Sequence, residues 1–187
     1  MIDAVARFAD DRRAAGLLAG WAAAEAIFLP IVPDVGLALL VLGRPQRAVP
    51  LYAAVIVGAV VGSVVMHGLV AADPAAIERL LLTVPGIDAS MLADVERRIG
   101  TDGIAAFGQV GPGTPLKAWT AGWAETDGNV AGAIGGAVLN RLTRIGPVVV
   151  AAWVAGRLGG GWLRHHERLA IGLYAAFWIL VYALLLL

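Results

Sequence analysis

AVPLYAAVIVGAVVGSVVMHGLVAA, residues 48–72, carries no Asp, Glu, Lys or Arg over its whole length. About 20 apolar residues suffice to cross the hydrocarbon of a bilayer, so this stretch is long enough to span. Gly58, Gly62 and Ser63 lie on closely related turns within it, the small-residue pattern that lets helix backbones approach one another in lipid. Residues 169–187 are equally free of charge. The chain as a whole agrees: 59% of its 187 residues are hydrophobic and 15% charged, with a mean hydropathy of +0.80. Soluble domains run at about 45–50% apolar and about 25% charged. The expected fold class is an all-α integral membrane protein, one membrane domain over residues 1–187.

Working outward, residues 14–43 are apolar except for Glu25, Pro30, Pro33 and Asp34. The stretch is too long for one span and falls short of the roughly 40 residues that two would need. Two prolines and an acid also break a helix in its middle. A re-entrant hairpin meets all three conditions, and Arg12, Arg13, Arg44 and Arg47 put positive charge at both of its ends. Residues 1–13 mix Asp and Arg and read as a short interfacial helix; acids interrupt them too early for a cleavable signal peptide. Downstream, residues 73–103 read as an amphipathic surface segment. Asp73-Pro74 opens a helix, Pro85-Gly86 turns, Met91, Leu92, Val95 and Ile99 share one face, and Gly100 closes the second helix.

Residues 104–124 are apolar but contain Pro112, Gly113, Pro115 and Lys117, and read as a second re-entrant hairpin. Residues 128–156 form another span, with Asn140, Arg141 and Arg144 inside it. Residues 157–168 form a polar loop turning at Gly159-Gly160-Gly161, and 169–187 the last span. Two re-entrant hairpins in an inverted repeat, about three transmembrane helices and surface amphipathic helices result. A cytoplasmic N-terminus puts eight arginines inside, from Arg7 to Arg168, against Arg79, Arg97 and Arg98 outside, which follows the positive-inside rule.

The two hairpins share a motif: Pro30-Ile31-Val32-Pro33 ahead of Asp34, and Pro112-Gly113-Thr114-Pro115 ahead of Lys117. Broken elements of an inverted repeat meet near the midplane and make a transport site there. Charged groups at that depth are costly, so they face a cavity or pair with one another. Glu25 and Asp34 are candidates for proton coupling, and Lys117, Arg141 and Arg144 for binding a headgroup phosphate. Each has a structural alternative: Glu25 on a shallow polar face, Asp34 as the cap of a helix beginning at Val35, the two arginines snorkelling to an interface. His67, His165 and His166 read as ordinary residues and not as metal ligands, and no cofactor is expected. Trp119, Trp123 and Trp162 read as interface anchors. The absence of cysteine removes a disulfide framework, the zero net charge gives no footprint for nucleic acid, and no phosphate-loop run points to ATP.

Three stretches resemble the DedA family, the bacterial branch of the superfamily that includes the eukaryotic VTT-domain scramblases, and within it the YqaA-like subgroup. They are Glu25-Ala-Ile-Phe-Leu-Pro-Ile-Val-Pro-Asp34, Thr114-Pro-Leu-Lys-Ala-Trp-Thr-Ala-Gly122, and Arg141-Leu-Thr-Arg144. The likeness spans residues 14–156. It departs where the main branch carries an arginine pair in the second hairpin and this chain has Lys117, and where Leu142-Thr143 replaces Gly-Leu. The resemblance implies a lipid transporter, flippase or scramblase of the bacterial cytoplasmic membrane, moving a phospholipid or a polyprenyl phosphate at the expense of a proton gradient. Anionic membrane lipid and protons are the implied partners, and a homo-oligomer is compatible with it. Two alternatives stand beside this reading. One is a non-transporting assembly factor, for which the glycines of 48–72 suffice but the buried charges do not. The other is a membrane-embedded lipid-phosphate enzyme, for which grouped carboxylates or a nucleophile with its base are missing.

Overall fold

A computed structural model describes residues 2–109, 113–126 and 128–186, and among these every regular element is helical. Helix α1 (Ile2–Asp10) ends at Asp11, whose carboxylate accepts the Arg13 amide at 2.8 Å and caps α2 (Arg12–Glu25). Helix α3 (Asp34–Gly43) returns beside α2, with the Trp21 ring packed over Gly36 and its Nε1 donating to the Ile31 carbonyl at 2.8 Å. The ends of this helical hairpin meet. Arg44 pairs with Asp10 at 2.7 Å, and Arg47 Nε donates to the Ala9 carbonyl at 3.2 Å.

Helix α4 (Ala48–Ala72) crosses α2 with backbones nearly touching. A Cβ on Gly58 would stand 2.1 Å from the Ala19 carbonyl oxygen, and one on Gly62 2.5 Å from that of Ala23. Its outer side exposes Val49, Val57, Val61 and Val65. Among the described residues, Pro45–Ala72 and Val130–Gly159 are the two helical stretches long and apolar enough to cross a membrane.

Helix α5 (Pro74–Leu81) packs at the end of α4, and α6 (Ala89–Asp102) packs on the elements that follow it; Asp73 caps the first on the Ala76 amide and Asp88 the second on the Met91 amide. Gly100 does not end α6. It stays right-handed, and the helix runs on to Gly103, whose φ of 58° is the conformation only glycine adopts at little cost. A 3-10 helix (Gly103–Gly108) leads towards α7 (Leu116–Glu125). Pro112, one of the expected hairpin tips, lies outside the described residues.

Helices α8 (Val130–Arg144), α9 (Gly146–His165) and α10 (Glu167–Leu186) complete the chain. Residues 128–156, expected as one continuous span, carry a one-residue turn at Ile145, because Pro147 has no amide to donate across the joint. The loop expected at Gly159-Gly160-Gly161 does not form. Each glycine costs a helix only about 1 kcal/mol, no proline intervenes, and α9 continues to His165. Trp119 is a core residue and not an interface anchor: it is 3% exposed and packs 6.0 Å from Phe107. Trp123 meets the same ring edge-on and donates to the Asn129 carbonyl, in space left open by Gly128 and Gly132. The side chain of Trp162 lies outside what the structure describes.

Glu125, at the end of α7, faces Glu96 of α6 and Glu78 of α5. Burial, a hydrogen bond to Glu96 and the charges of both acids push its carboxyl up from 4.5 to about 7. A group raised in this way favours the folded state fully below 4.5 and loses that contribution as the pH climbs through about 7. Melting temperature should therefore fall between pH 5 and 8 in the wild type and fall less in Glu125→Gln; parallel curves would remove Glu125 from the titration.

Candidate functional site

Apolar clusters bracket the buried charges. Ala22 belongs to one cluster and Ala26 to the next; Ile145 belongs to the first and Ala137 to the second. Glu25 and Arg141 fall between these pairs, at the seam. Glu25 is the last residue of α2 and is 2% exposed, while Arg141, in the last turn of α8, is 1% exposed. Arg141 Nη2 donates to Glu25 Oε2, and Tyr52 of α4 holds the Arg141 carbonyl with its hydroxyl at 2.8 Å. Both side chains are enclosed by the protein, and neither lies on an outer face.

Lys117 stands in the first turn of α7 and is 1% exposed. Its ammonium donates to the carbonyls of Glu25 at 3.0 Å and Leu29 at 2.7 Å. The last carbonyls of a helix lack intrahelical partners and carry a partial negative charge, so a cation there satisfies both deficits. The lysine of the second half thereby completes the helix end of the first. A second polar link between the halves joins Thr120 of α7 to Ser63 of α4 at 3.2 Å, both buried.

Asp34 is the first residue of α3, and the cap position before it is Pro33, which makes no side-chain hydrogen bond. Asp34 is thus not the cap of a helix beginning at Val35. It is 6% exposed, and its Oδ1 is buried with no hydrogen-bond partner. Arg144, at the end of α8, donates through Nη1 to the Thr114 carbonyl at 2.6 Å. It forms no ion pair with Asp34.

Four of the five charged candidates line one cavity of about 1000 Å³: Glu25, Asp34, Lys117 and Arg144. Pro30 and Pro115 from the two proline motifs also line it, whereas Pro33 does not. Arg141 stands behind Glu25. The rest of the cavity lining is mostly apolar: Ala38 and Leu42 of α3, Val84 and Met91 about the start of α6, Val148 and Ala152 of α9, and Phe177 of α10. No family model, curated protein or solved structure matches this chain. The reading of the site rests on its own chemistry.

Three further contributors carry no mark in the sequence. Trp21 pins the tip between α2 and α3, Tyr52 steadies Arg141, and Tyr174 of α10 donates to the Val35 carbonyl at the start of α3. All three act on backbone carbonyls, which every residue possesses and no motif marks. His67 likewise meets the Gly128 carbonyl at 2.7 Å, which joins α4 to the start of α8.

Proposed function

We propose that this chain is a membrane protein that carries an anionic lipid across the bilayer, in the manner of the DedA family it resembles, in the bacterial cytoplasmic membrane with its N-terminus on the cytoplasmic side. The observation that carries the reading is the cavity: four charged side chains stand in a lining that is otherwise mostly apolar, a mixture that suits an amphiphile. Arg144 is the phosphate ligand. Its guanidinium keeps donors beyond the one committed to Thr114, and its planar fork suits phosphate oxygens. Lys117 and Arg141 act one step back, the first by finishing α2 and the second by holding Glu25. Asp34, whose Oδ1 is unpartnered, is the carboxyl that exchanges protons.

The same reading makes the two proline segments the tips of re-entrant hairpins. The ion pair between Asp10 and Arg44, which brings both ends of the first hairpin together, supports it. The second segment is less symmetric, with a 3-10 helix in place of a first α-helical limb. The exposed valines of α4 suit contact with lipid tails.

The test is lipid translocation in proteoliposomes, with and without an imposed proton gradient. Arg144→Ala should slow an anionic lipid by about tenfold or more, the weight of one charge-assisted hydrogen bond, with its melting temperature near wild type. The control Arg79→Ala, on the exposed face of α5, should not slow it. Equal rates for wild type and Arg144→Ala would remove the cavity from the mechanism.

A further inference from the structure

A carboxylate and a guanidinium line the cavity without forming an ion pair. Asp34 has a buried oxygen with no partner, and Arg144 spends one nitrogen on the Thr114 carbonyl. The other two charges are already matched: the Glu25 carboxylate by Arg141, the Lys117 ammonium by two carbonyls. What remains for a ligand is therefore one cationic donor and one anionic acceptor.

Building on the lipid-carrier reading above, we infer that Asp34 selects the headgroup, and that the preferred substrate is a phosphodiester lipid bearing an N–H or O–H donor beside its phosphate. Arg144 takes the phosphate and the Asp34 carboxylate, which lines the cavity, accepts from the donor. A buried polar atom left without a partner is expensive, so a headgroup that supplies the missing donor gains over one that does not. A bare phosphate monoester adds a second negative charge and offers Asp34 nothing, which turns the same carboxylate into a repulsive element. A proton and the headgroup donor compete for one carboxylate, under the field of Glu25, Arg141 and Arg144, so the two are carried in alternation.

Ammonium and hydroxyl headgroups share this chemistry, and the experiment separates them. Short-chain phosphatidylethanolamine, phosphatidylglycerol and phosphatidylcholine of equal acyl length are titrated onto the purified full chain in detergent, with binding read by tryptophan fluorescence. Phosphatidylcholine keeps the phosphate and the positive charge but has no donor. Wild type should bind one or both donor-bearing lipids at least about tenfold more tightly than phosphatidylcholine. In Asp34→Leu that ratio should collapse towards one; Asp34→Ala, which removes the acceptor without adding bulk, serves if the leucine variant melts below wild type. Preference for phosphatidylethanolamine identifies the ammonium, and preference for phosphatidylglycerol the hydroxyl. Equal binding of all three lipids, or a ratio that survives both substitutions, overturns the inference and leaves the carrier reading standing. No binding of any lipid overturns the carrier reading itself.

Discussion

Arg141→Leu, with Glu25 left in place, should lower unfolding stability by about 3–5 kcal/mol, the usual result of removing one partner from a buried ion pair. Both groups are all but inaccessible, so bulk water does not readily replace the missing guanidinium. The carboxylate would be left at the seam between two apolar clusters, where it either pulls in water or forces α2 away from α8. Glu25→Leu combined with Arg141→Met should recover most of the loss, because an apolar pair of similar size can replace a buried ion pair at no net cost. Lipid movement should stay impaired in the double variant, since the cavity would have lost Glu25. Denaturant melts in detergent, read by tryptophan fluorescence, measure both. A single variant as stable as wild type would show that the pair contributes little to the fold.

The second large effect is expected at Gly58. A Cβ there would approach Ala19 at 2.1 Å from its carbonyl oxygen, 2.7 Å from its carbonyl carbon and 2.8 Å from its Cα. All three atoms are backbone, so no rotamer change relieves the clash, and α2 and α4 must separate. Overpacked sites cost about 1–3 kcal/mol when side chains can yield. Gly58→Val should exceed that range, and it should abolish translocation as well, because Glu25 lies on the displaced helix. Gly68→Ala on the same helix provides the contrast. Nothing lies within 4 Å of its added Cβ, and the gain in helix propensity, up to about 1 kcal/mol, should leave the protein as stable or more so. Equal melting of Gly58→Val and wild type would mean that the two helices do not meet as described.

The sequence exposed the helical class of this protein through its charge-free runs, and it exposed the helix start at Asp73, though not those that Asp11, Asp88 and Asn129 cap in the same way. It also brought out the charged residues that gather at the cavity, because a charge in an apolar run is conspicuous whatever its role. The roles were less legible. Glu25 and Arg141 are 116 positions apart, and nothing in either segment names the other. Lys117 bonds to carbonyls, so its partners are invisible in a string of side chains. Trp119 and Trp123 look like interface residues until the glycines of α8 are seen to leave the hollow that Phe107 and Trp123 fill. The glycines at 159–161 suggested a turn because glycine permits one, yet permission without a terminating contact leaves a helix intact.

The bond from Lys117 to the end of α2 also has a consequence in time. The carbonyls of Glu25 and Leu29 leave the ribosome 92 and 88 residues ahead of the ammonium that satisfies them. At about 5–20 residues per second, that interval is roughly 5–20 s. Throughout it the first hairpin has an unfinished end, which water or the wall of the insertion machinery must solvate. The first half cannot settle as a closed unit before the second is made, so the folding of this protein is ordered by its own translation.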